Sequence, residues 1–144
     1  MKRVENWEKE LANFLEKRQN MPFKWGQNDC VIFPHRAAQA ITGYNYVSDN
    51  NSCGRGYRTR AAATKVLKEH FNKKIENVFT HYFGEPREDI GFARRGDIVL
   101  FKNGRNLVGG VIDNTGRYIA SAGPNGIARH PKKLALKYWR VGGE

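Results

Sequence analysis

The chain has 144 residues, of which 40% are hydrophobic and 12% are aromatic. These values are typical of one globular domain with one core, and they exclude a disordered chain or two full-sized domains. The formal net charge of +11 favours an anionic partner, such as nucleic acid, a bacterial wall polymer or an acidic protein, although a solvated basic face explains it equally well.

The N-terminal residues 1–6 are mostly polar or charged and run directly into an amphipathic segment, with no apolar signal region. No apolar stretch is long enough to span a bilayer. We therefore expect a protein that is made in a cytoplasm and that needs another route to reach any target outside the cell.

The cysteine content is too low for a disulfide-rich secreted scaffold. Cys30 and Cys53 are not spaced as a metal-binding or redox pair, and the sequence leaves open whether both are free or whether they form one disulfide. No cluster of histidines, cysteines and carboxylates has metal-ligand spacing, and no glycine-rich loop suits a phosphate. The sequence therefore indicates neither a metal nor a cofactor.

The first part of the chain is predicted to be helical. Apolar residues recur at helical spacing in residues 1–19, at Val4, Trp7, Leu11, Phe14 and Leu15. A second helix is predicted from near Asp29 to just before Gly43, a natural left-handed cap. Pro34 in this helix cannot donate to the carbonyl of Cys30, so we predict a kink or a loosened first turn there.

The middle of the chain is less clearly patterned. Residues 44–57 are polar and rich in turn formers, which predicts a surface loop that carries Cys53. Thr59 is a suitable N-cap for a third helix that runs to Phe71. Within the weakly patterned region that follows, residues 78–83 are predicted to form a short strand.

From Gly96 onward the pattern changes to strands separated by turns, and Asn103-Gly104 is a strong hairpin signal. The predicted strands are residues 97–102, 107–112, 117–121, 127–130 and 138–141. Helices followed by an antiparallel meander indicate the α+β class rather than alternating β-α-β units. We therefore predict a single α+β domain over residues 1–144, composed of an N-terminal amphipathic helix (1–19), a cysteine-bearing helical half (20–72) and an antiparallel sheet (96–141).

Cys30 is the leading candidate for a nucleophile. Asn28 and Asp29 can cap the second helix, and the positive end of the helix dipole would then favour a thiolate at Cys30 in the first turn. The plainer interpretation is a small buried cysteine, since such cysteines are common in protein cores.

A thiolate enzyme also needs a general base, which is usually a histidine. His35 lies more than one helical turn beyond Cys30, so its ring is expected to project away from the thiol. His70 is predicted at the end of the third helix, near the surface, and His81 lies in the weakly patterned region. His130, at the end of the fourth predicted strand, is therefore the candidate base that a meander could carry across to Cys30.

The motifs around Cys30 resemble those of the NlpC-type cell-wall cysteine peptidases, which have a compact papain-like α+β fold. In that family a Tyr-x-Trp-Gly-Gly loop leads to Asp-Cys-Ser-Gly-Phe, whose cysteine is the nucleophile. The matching segments here are Phe23-Lys24-Trp25-Gly26, Asp29-Cys30-Val31-Ile32-Phe33, Gly96-Asp97-Ile98-Val99-Leu100-Phe101, Leu107-Val108-Gly109-Gly110 and Tyr118-Ile119-Ala120-Ser121. The resemblance covers roughly residues 20–140 and is closest to a phage-borne branch. It implies that Cys30 is the nucleophile and that Phe23, Trp25 and Asp29 belong to the oxyanion and substrate loop.

The chain departs from this family at the positions that carry catalysis. The family's catalytic histidine aligns with Leu107, and its orienting histidine aligns with Ala120. The tyrosine that positions substrate aligns with Phe23, which lacks the hydroxyl. Because general-base assistance typically contributes about 10²–10⁴-fold to the rate, the usual mechanism should fail unless another residue replaces the histidine.

Two functions from different classes follow from the resemblance. The first, favoured by the missing histidines, is a phage virion or tail component that acts as a structural or wall-docking module, with other virion proteins or peptidoglycan as its partners. The second is an active murein endopeptidase with Cys30 as nucleophile and His130 or His35 as base. The charge of +11 leaves nucleic acid as a third partner, although no recognised nucleic-acid motif supports it.

Overall fold

The computed structural model of the chain describes residues 2–47 and 57–143. Within these residues the helices are α1 (Trp7–Arg18), α2 (Ile32–Thr42), α3 (Arg60–His70) and α4 (Ile75–Phe83). The strands are β1 (Ile98–Asn103), β2 (Asn106–Ile112), β3 (Tyr118–Gly123), β4 (Gly126–Pro131) and β5 (Ala135–Trp139). The predicted α+β class is therefore confirmed. None of the described helices has the length and apolar character needed to cross a membrane.

The described strands form an antiparallel sheet in the order β4-β3-β2-β1-β5, so β5 returns to pair with the free side of β1. The hairpin predicted at Asn103-Gly104 joins β1 to β2. Its two-residue loop consists of Gly104 and Arg105, because Asn103 pairs with Asn106. Gly104 has a φ of 67°, a left-handed conformation that glycine adopts without strain.

The helices cover one face of the sheet and bury the main core. Helix α1 packs against α2, and α2 in turn contacts β2 and β3. Helix α2 approaches the sheet closely because Ala37 and Ala38 are small, and both are fully buried. Beside them, the rings of Phe79 in α4 and Trp139 in β5 lie 5.2 Å apart. Burying a large apolar side chain of this kind stabilises a fold by about 1.5–3 kcal/mol.

A second, smaller core lies on the other face of the sheet. Its buried members are Ala93, Val99, Phe101, Ile112, Ile119, Ala135 and Tyr138. A Cβ added at Gly110 of β2 would lie 2.6 Å from Ile119 and 3.2 Å from the ring of Phe101. The Phe101 ring therefore packs over the glycine, and it also meets the ring of His130 in β4, with 4.9 Å between centroids.

Two elements differ from the sequence prediction. Residues 78–83, predicted as a strand, belong to helix α4, so that prediction is wrong. β-Branched and aromatic residues favour strands, but here the apolar side chains recur at helical spacing and one face packs inward. These side chains are Ile75, Val78, Phe79, Tyr82 and Phe83. The last strand, predicted at residues 138–141, runs instead over Ala135–Trp139.

The N-cap predicted for the third helix is confirmed, because the Thr59 hydroxyl accepts a hydrogen bond from the N–H of Ala62 at 3.1 Å. The surface loop predicted at residues 44–57 lies largely outside the described residues, and so does Cys53.

A buried carboxylate ties both ends of the described chain to the sheet. Asp97, just before β1, is fully buried and accepts hydrogen bonds from Arg3 and Arg140, each at 3.0 Å. Arg3 Nε also donates to the carbonyl of Val141 at 2.7 Å. A buried charge is tolerated only when it is paired and hydrogen-bonded, so this cluster holds the two terminal segments against β1.

We expect Asp97→Asn to lower the free energy of unfolding by about 3 kcal/mol, because Arg3 and Arg140 lose a buried counter-charge while the shape of the side chain is kept. Urea unfolding followed by circular dichroism measures this. The matched control is Glu8→Gln, which removes the exposed Glu8–Arg95 ion pair of 2.7 Å. The control substitution should lower the free energy of unfolding by no more than about 0.5 kcal/mol. Equal losses in the two variants would contradict this role for Asp97.

His35 of α2 is buried in a cluster of aromatic rings. Its ring lies 5.1 Å from that of Tyr82, 5.6 Å from that of Phe79 and 6.1 Å from that of Tyr46. Neither imidazole nitrogen has a hydrogen-bond partner among the described residues. Burial lowers the pKa of His35 to about 3, so the imidazole is neutral at physiological pH.

The lowered pKa of His35 makes stability depend on pH. The unfolded chain takes up a proton on this side chain near pH 6.5, whereas the folded chain does so near pH 3, so stability is lost as the pH falls between these values. We expect this group to remove about 2 kcal/mol of stability between pH 7 and pH 5. Urea unfolding at the two pH values should show a smaller loss in His35→Leu than in the unmodified protein. The exposed His81→Gln variant is the control, and an unchanged pH dependence in His35→Leu would refute the prediction.

Candidate functional site

The loop before α2 is held by one carboxylate. Asp29 is 1% exposed. One of its oxygens accepts hydrogen bonds from the N–H groups of Val31 at 2.9 Å and Ile32 at 2.8 Å. The other accepts from the N–H of Gly26 and the hydroxyl of Tyr57, both at 2.8 Å. Asp29 thus joins the loop, the beginning of α2 and the segment before α3.

Neighbouring residues make this loop compact. The Asn28 amide donates to the carbonyl of Met21 at 3.2 Å, and its oxygen accepts from Arg18 at 2.9 Å. Gly26 has a φ of 81°, and a Cβ there would collide with the carbonyl oxygen of Tyr57. Only glycine fits this position, so the glycine of the loop motif has a structural role of its own.

Asp29 caps α2, as the sequence predicts, because one of its carboxylate oxygens accepts from the N–H groups of Val31 and Ile32 and its carbonyl accepts from the N–H of Phe33 at 2.9 Å. Regular helical structure begins only at Ile32, so Cys30 lies in an irregular first turn. The cause is Pro34, which has no N–H to bond to the carbonyl of Cys30, so regular helical bonding begins later. The predicted loosening beneath Cys30 is therefore confirmed, and its carbonyl oxygen faces Gly109 of β2 instead.

The thiol of Cys30 is free, and its surroundings disfavour the thiolate. Burial, with a smaller contribution from the charge of Asp29, raises the pKa of Cys30 to about 12. Hydrogen bonds from the backbone amides of Gly109 and Cys30 itself act in the opposite direction but do not offset the burial. The thiol is therefore protonated at neutral pH, whereas a nucleophilic cysteine needs a lowered pKa.

Cys30 lines a cavity of about 890 Å³, a size that suits a small ligand or a short peptide. The structure brings Phe23, Trp25, Cys30 and Leu107 together around this cavity. The rings of Phe23 and Trp25 meet edge to face with centroids 4.8 Å apart. Leu107, the position at which the resemblance to NlpC-type peptidases predicts a catalytic histidine, is 43% exposed. The four residues singled out on the loop and on β2 therefore form one surface.

His130 is not brought to Cys30. Its ring packs on Phe101 in the second core, on the face of the sheet that the helices leave uncovered. Cys30 lies over Gly109, whose partner across the ladder, Leu100, belongs to the main core on the helical face. The two side chains are on opposite faces of the sheet, so the geometry gives no support to His130 as a base for Cys30.

The other histidines are also outside the cavity. His35 is enclosed by aromatic rings and does not line the cavity, in agreement with the prediction that its ring projects away from Cys30. His70 ends α3 and His81 lies on α4, and both are exposed beside the ring of Phe71. No imidazole occurs among the described residues that line the cavity.

Ala120, the position at which the resemblance predicts an orienting histidine, differs from Leu107 in its exposure to solvent. Ala120 is fully buried in the main core and pairs with Val111 of β2. An imidazole at this position would overpack the core, which is destabilising. The exposed position of Leu107 could accept a histidine with little strain, whereas the position of Ala120 could not.

Three residues that shape the cavity are not predicted as site residues: Gly109, Lys73 and Lys74. A Cβ at Gly109 would lie 2.6 Å from the Phe79 ring, so a side chain there would push α4 and the Cys30 turn away from β2. A glycine inside a predicted strand is a signal of such a close approach. The two lysines follow α3, and the sequence offers no signal that they face a cavity.

The lining of the cavity provides groups that can bind a ligand. Its walls combine a protonated thiol with aromatic and aliphatic side chains and with the amides of Asn103 and Asn106. The described residues include no group of three side chains that could hold a metal ion. Such walls can hold a ligand by apolar contact and hydrogen bonds, but their described members include no histidine to take a proton from Cys30.

We expect the alkylation rate of Cys30, measured against pH in a Cys53→Ser background, to have a midpoint well above the reference of about 8.5 for a free thiol. The physical reason is burial, which disfavours the thiolate. The same protein in denaturant is the control, and its alkylation midpoint should return to the reference value. Leu107→His in this background should lower the midpoint, because an imidazolium beside a thiol favours the thiolate. A midpoint below the reference in the unmodified Leu107 protein would contradict the structure.

The comparisons with known proteins support one assignment. No curated protein matches the chain. Among protein-family models, the domain of unknown function DUF6950 matches residues 2–141, a range that includes the loop, the cysteine and every described strand. The chain therefore belongs to the DUF6950 family.

Proposed function

We propose that this chain is a non-catalytic module with a degenerate NlpC-type peptidase fold, and that it serves a phage virion or tail as a structural or cell-wall-docking component. The observation that carries the proposal is a cavity lined by both Cys30 and Leu107 whose described walls hold no imidazole. Burial also raises the pKa of the Cys30 thiol, which disfavours the thiolate. A cysteine peptidase requires a thiolate and a base, and the surroundings of Cys30 among the described residues favour neither.

The arrangement of the elements supports the NlpC-type part of the proposal. A loop with Trp25 leads to Cys30 before a helix, and this turn packs on the second strand of an antiparallel sheet. Leu107 on that strand lines the same cavity as Cys30, as expected if it occupies the position of the family's catalytic histidine. The phage setting rests on the resemblance to the phage-borne branch of that family.

Retention of the cavity supports a docking role. The loop that forms one wall is fixed by four hydrogen bonds to Asp29. A site with no remaining role would not need walls held this firmly, whereas a binding surface benefits from being preorganised. The cavity is therefore proposed as the surface through which the module contacts its partner.

The test incubates the purified chain with bacterial cell-wall sacculi and measures both newly released peptide amino groups and the fraction of protein that sediments with the wall. We expect no release above background, because burial disfavours the Cys30 thiolate and no described residue of the lining is a histidine that could act as its base. Cys30→Ala should behave identically in both measurements. An active NlpC-type peptidase, incubated with the same wall preparation, is the positive control for release.

Release of wall peptides that disappears in Cys30→Ala would overturn the proposal in favour of a murein endopeptidase with Cys30 as nucleophile. The virion part has its own readout, namely immunodetection of the chain in purified particles of the phage that encodes it. Absence from the particles would overturn that part alone.

A further inference from the structure

One wall of the cavity carries cations that have no counter-charge among residues 2–47 and 57–143. Arg60, Lys73 and Lys74 line it, and none of their side chains forms an ion pair with a described residue. Among the described lining residues the acidic one is Glu76, whose carboxylate is already bound by Lys137 at 3.1 Å. The wall is therefore electropositive and favours a ligand with negative charges.

The cations stand at the two ends of helix α3. Arg60 is its first residue, and Lys73 and Lys74 follow its last turn. Eleven helical residues at about 1.5 Å each separate the two ends by about 16 Å. An extended peptide covers that distance with about five residues. This separation suits a linear ligand with charges near both ends better than a compact anion.

The wall between the cations is apolar. Ala63 and Leu67 of α3 line the cavity there, and Trp25 and Leu107 line it from the loop and from β2. The amides of Asn103 and Asn106, also in the lining, can pair with the N–H and C=O groups of a peptide backbone. A nucleic acid carries a phosphate at every nucleotide, so this long uncharged stretch does not match its spacing.

The lysine end of the wall is held in an unfavourable backbone conformation. Asn72 and Lys73 have φ values of 52° and 65°, in the left-handed region that side chains other than asparagine and glycine rarely adopt. A glycine at position 73 would relieve this strain, yet the chain has a lysine whose side chain lines the cavity. Strained non-glycine residues of this kind cluster at ligand sites.

We propose that the cavity binds an extended acidic segment of a protein partner, in which acidic residues flank a short apolar stretch, with Arg60 at one end and Lys73 and Lys74 at the other as its anion-binding groups. The inference rests on the proposed non-catalytic function, because a segment held beside Cys30 must survive intact. It identifies the partner as a neighbouring protein and the apolar walls as the place for the middle of the segment.

The probe is the fluorescein-labelled peptide Glu-Glu-Ala-Leu-Leu-Ala-Glu-Glu, and the readout is fluorescence anisotropy with the full chain. We expect saturable binding that weakens as NaCl rises from about 50 mM to about 300 mM, because exposed charge pairs are screened. Arg60→Gln and Lys73→Gly should each weaken binding by about twofold to fivefold. Lys73→Gly should not lower the urea midpoint, because glycine tolerates a φ of 65°.

The matched control is Lys68→Gln, which removes the same charge from an exposed position of α3 that does not line the cavity. The Gln-for-Glu version of the peptide is the ligand control and should not bind. Failure of the acidic peptide to bind, or an equal loss in Lys68→Gln and Lys73→Gly, would overturn the inference. Tighter binding of a muropeptide or of a single-stranded oligonucleotide, with the same dependence on Arg60, would also overturn it.

These outcomes separate the inference from the function on which it rests. Binding of the peptide that is insensitive to Arg60, Lys73 and Lys74 overturns the inference and leaves the non-catalytic module intact. Cleavage of the peptide that is abolished in Cys30→Ala overturns the proposed function itself.

Discussion

Two consecutive glycines in the middle of β2 are the constraint on which both faces of the sheet depend. At Gly109 the absent side chain lets the Cys30 carbonyl and the Phe79 ring come down onto the strand. At Gly110 the absent side chain makes room on the other face for Phe101. Glycine usually weakens a strand, so this pair gives up local stability in exchange for close packing on both faces.

The same close approach determines the chemistry of Cys30. The turn that carries Cys30 packs onto β2 through its carbonyl oxygen, and burial in this setting raises the pKa of the thiol. The motif residues thus remain together around a cavity. Burial raises the pKa of Cys30, whereas the position of the cysteine at the start of a helix predicts a lowered pKa. In the function that we propose, the site holds a ligand without attacking it, and the cations at the two ends of α3 favour an acidic ligand.

Local patterns in the sequence were sufficient for the class, for the hairpin at Asn103-Gly104 and for the Thr59 cap, because each depends on a few neighbouring residues. Helix α4 was missed because aromatic and β-branched residues, which favour strands, form its buried face. The face of the sheet on which His130 lies depends on the pairing register, which no local motif encodes. The raised pKa of Cys30 depends on contacts with residues distant in the sequence, so the local motif could not reveal it.

The cluster around Asp97 has a mechanical consequence. Arg3 and Val141 are joined by a hydrogen bond of 2.7 Å, so the chain enters and leaves the fold at one point. A pulling force applied through both ends would load this cluster first and would reach the sheet only after the cluster had opened. Because the two terminal segments lie side by side, the domain could also be inserted into a loop of a longer polypeptide without separating the two ends of that loop.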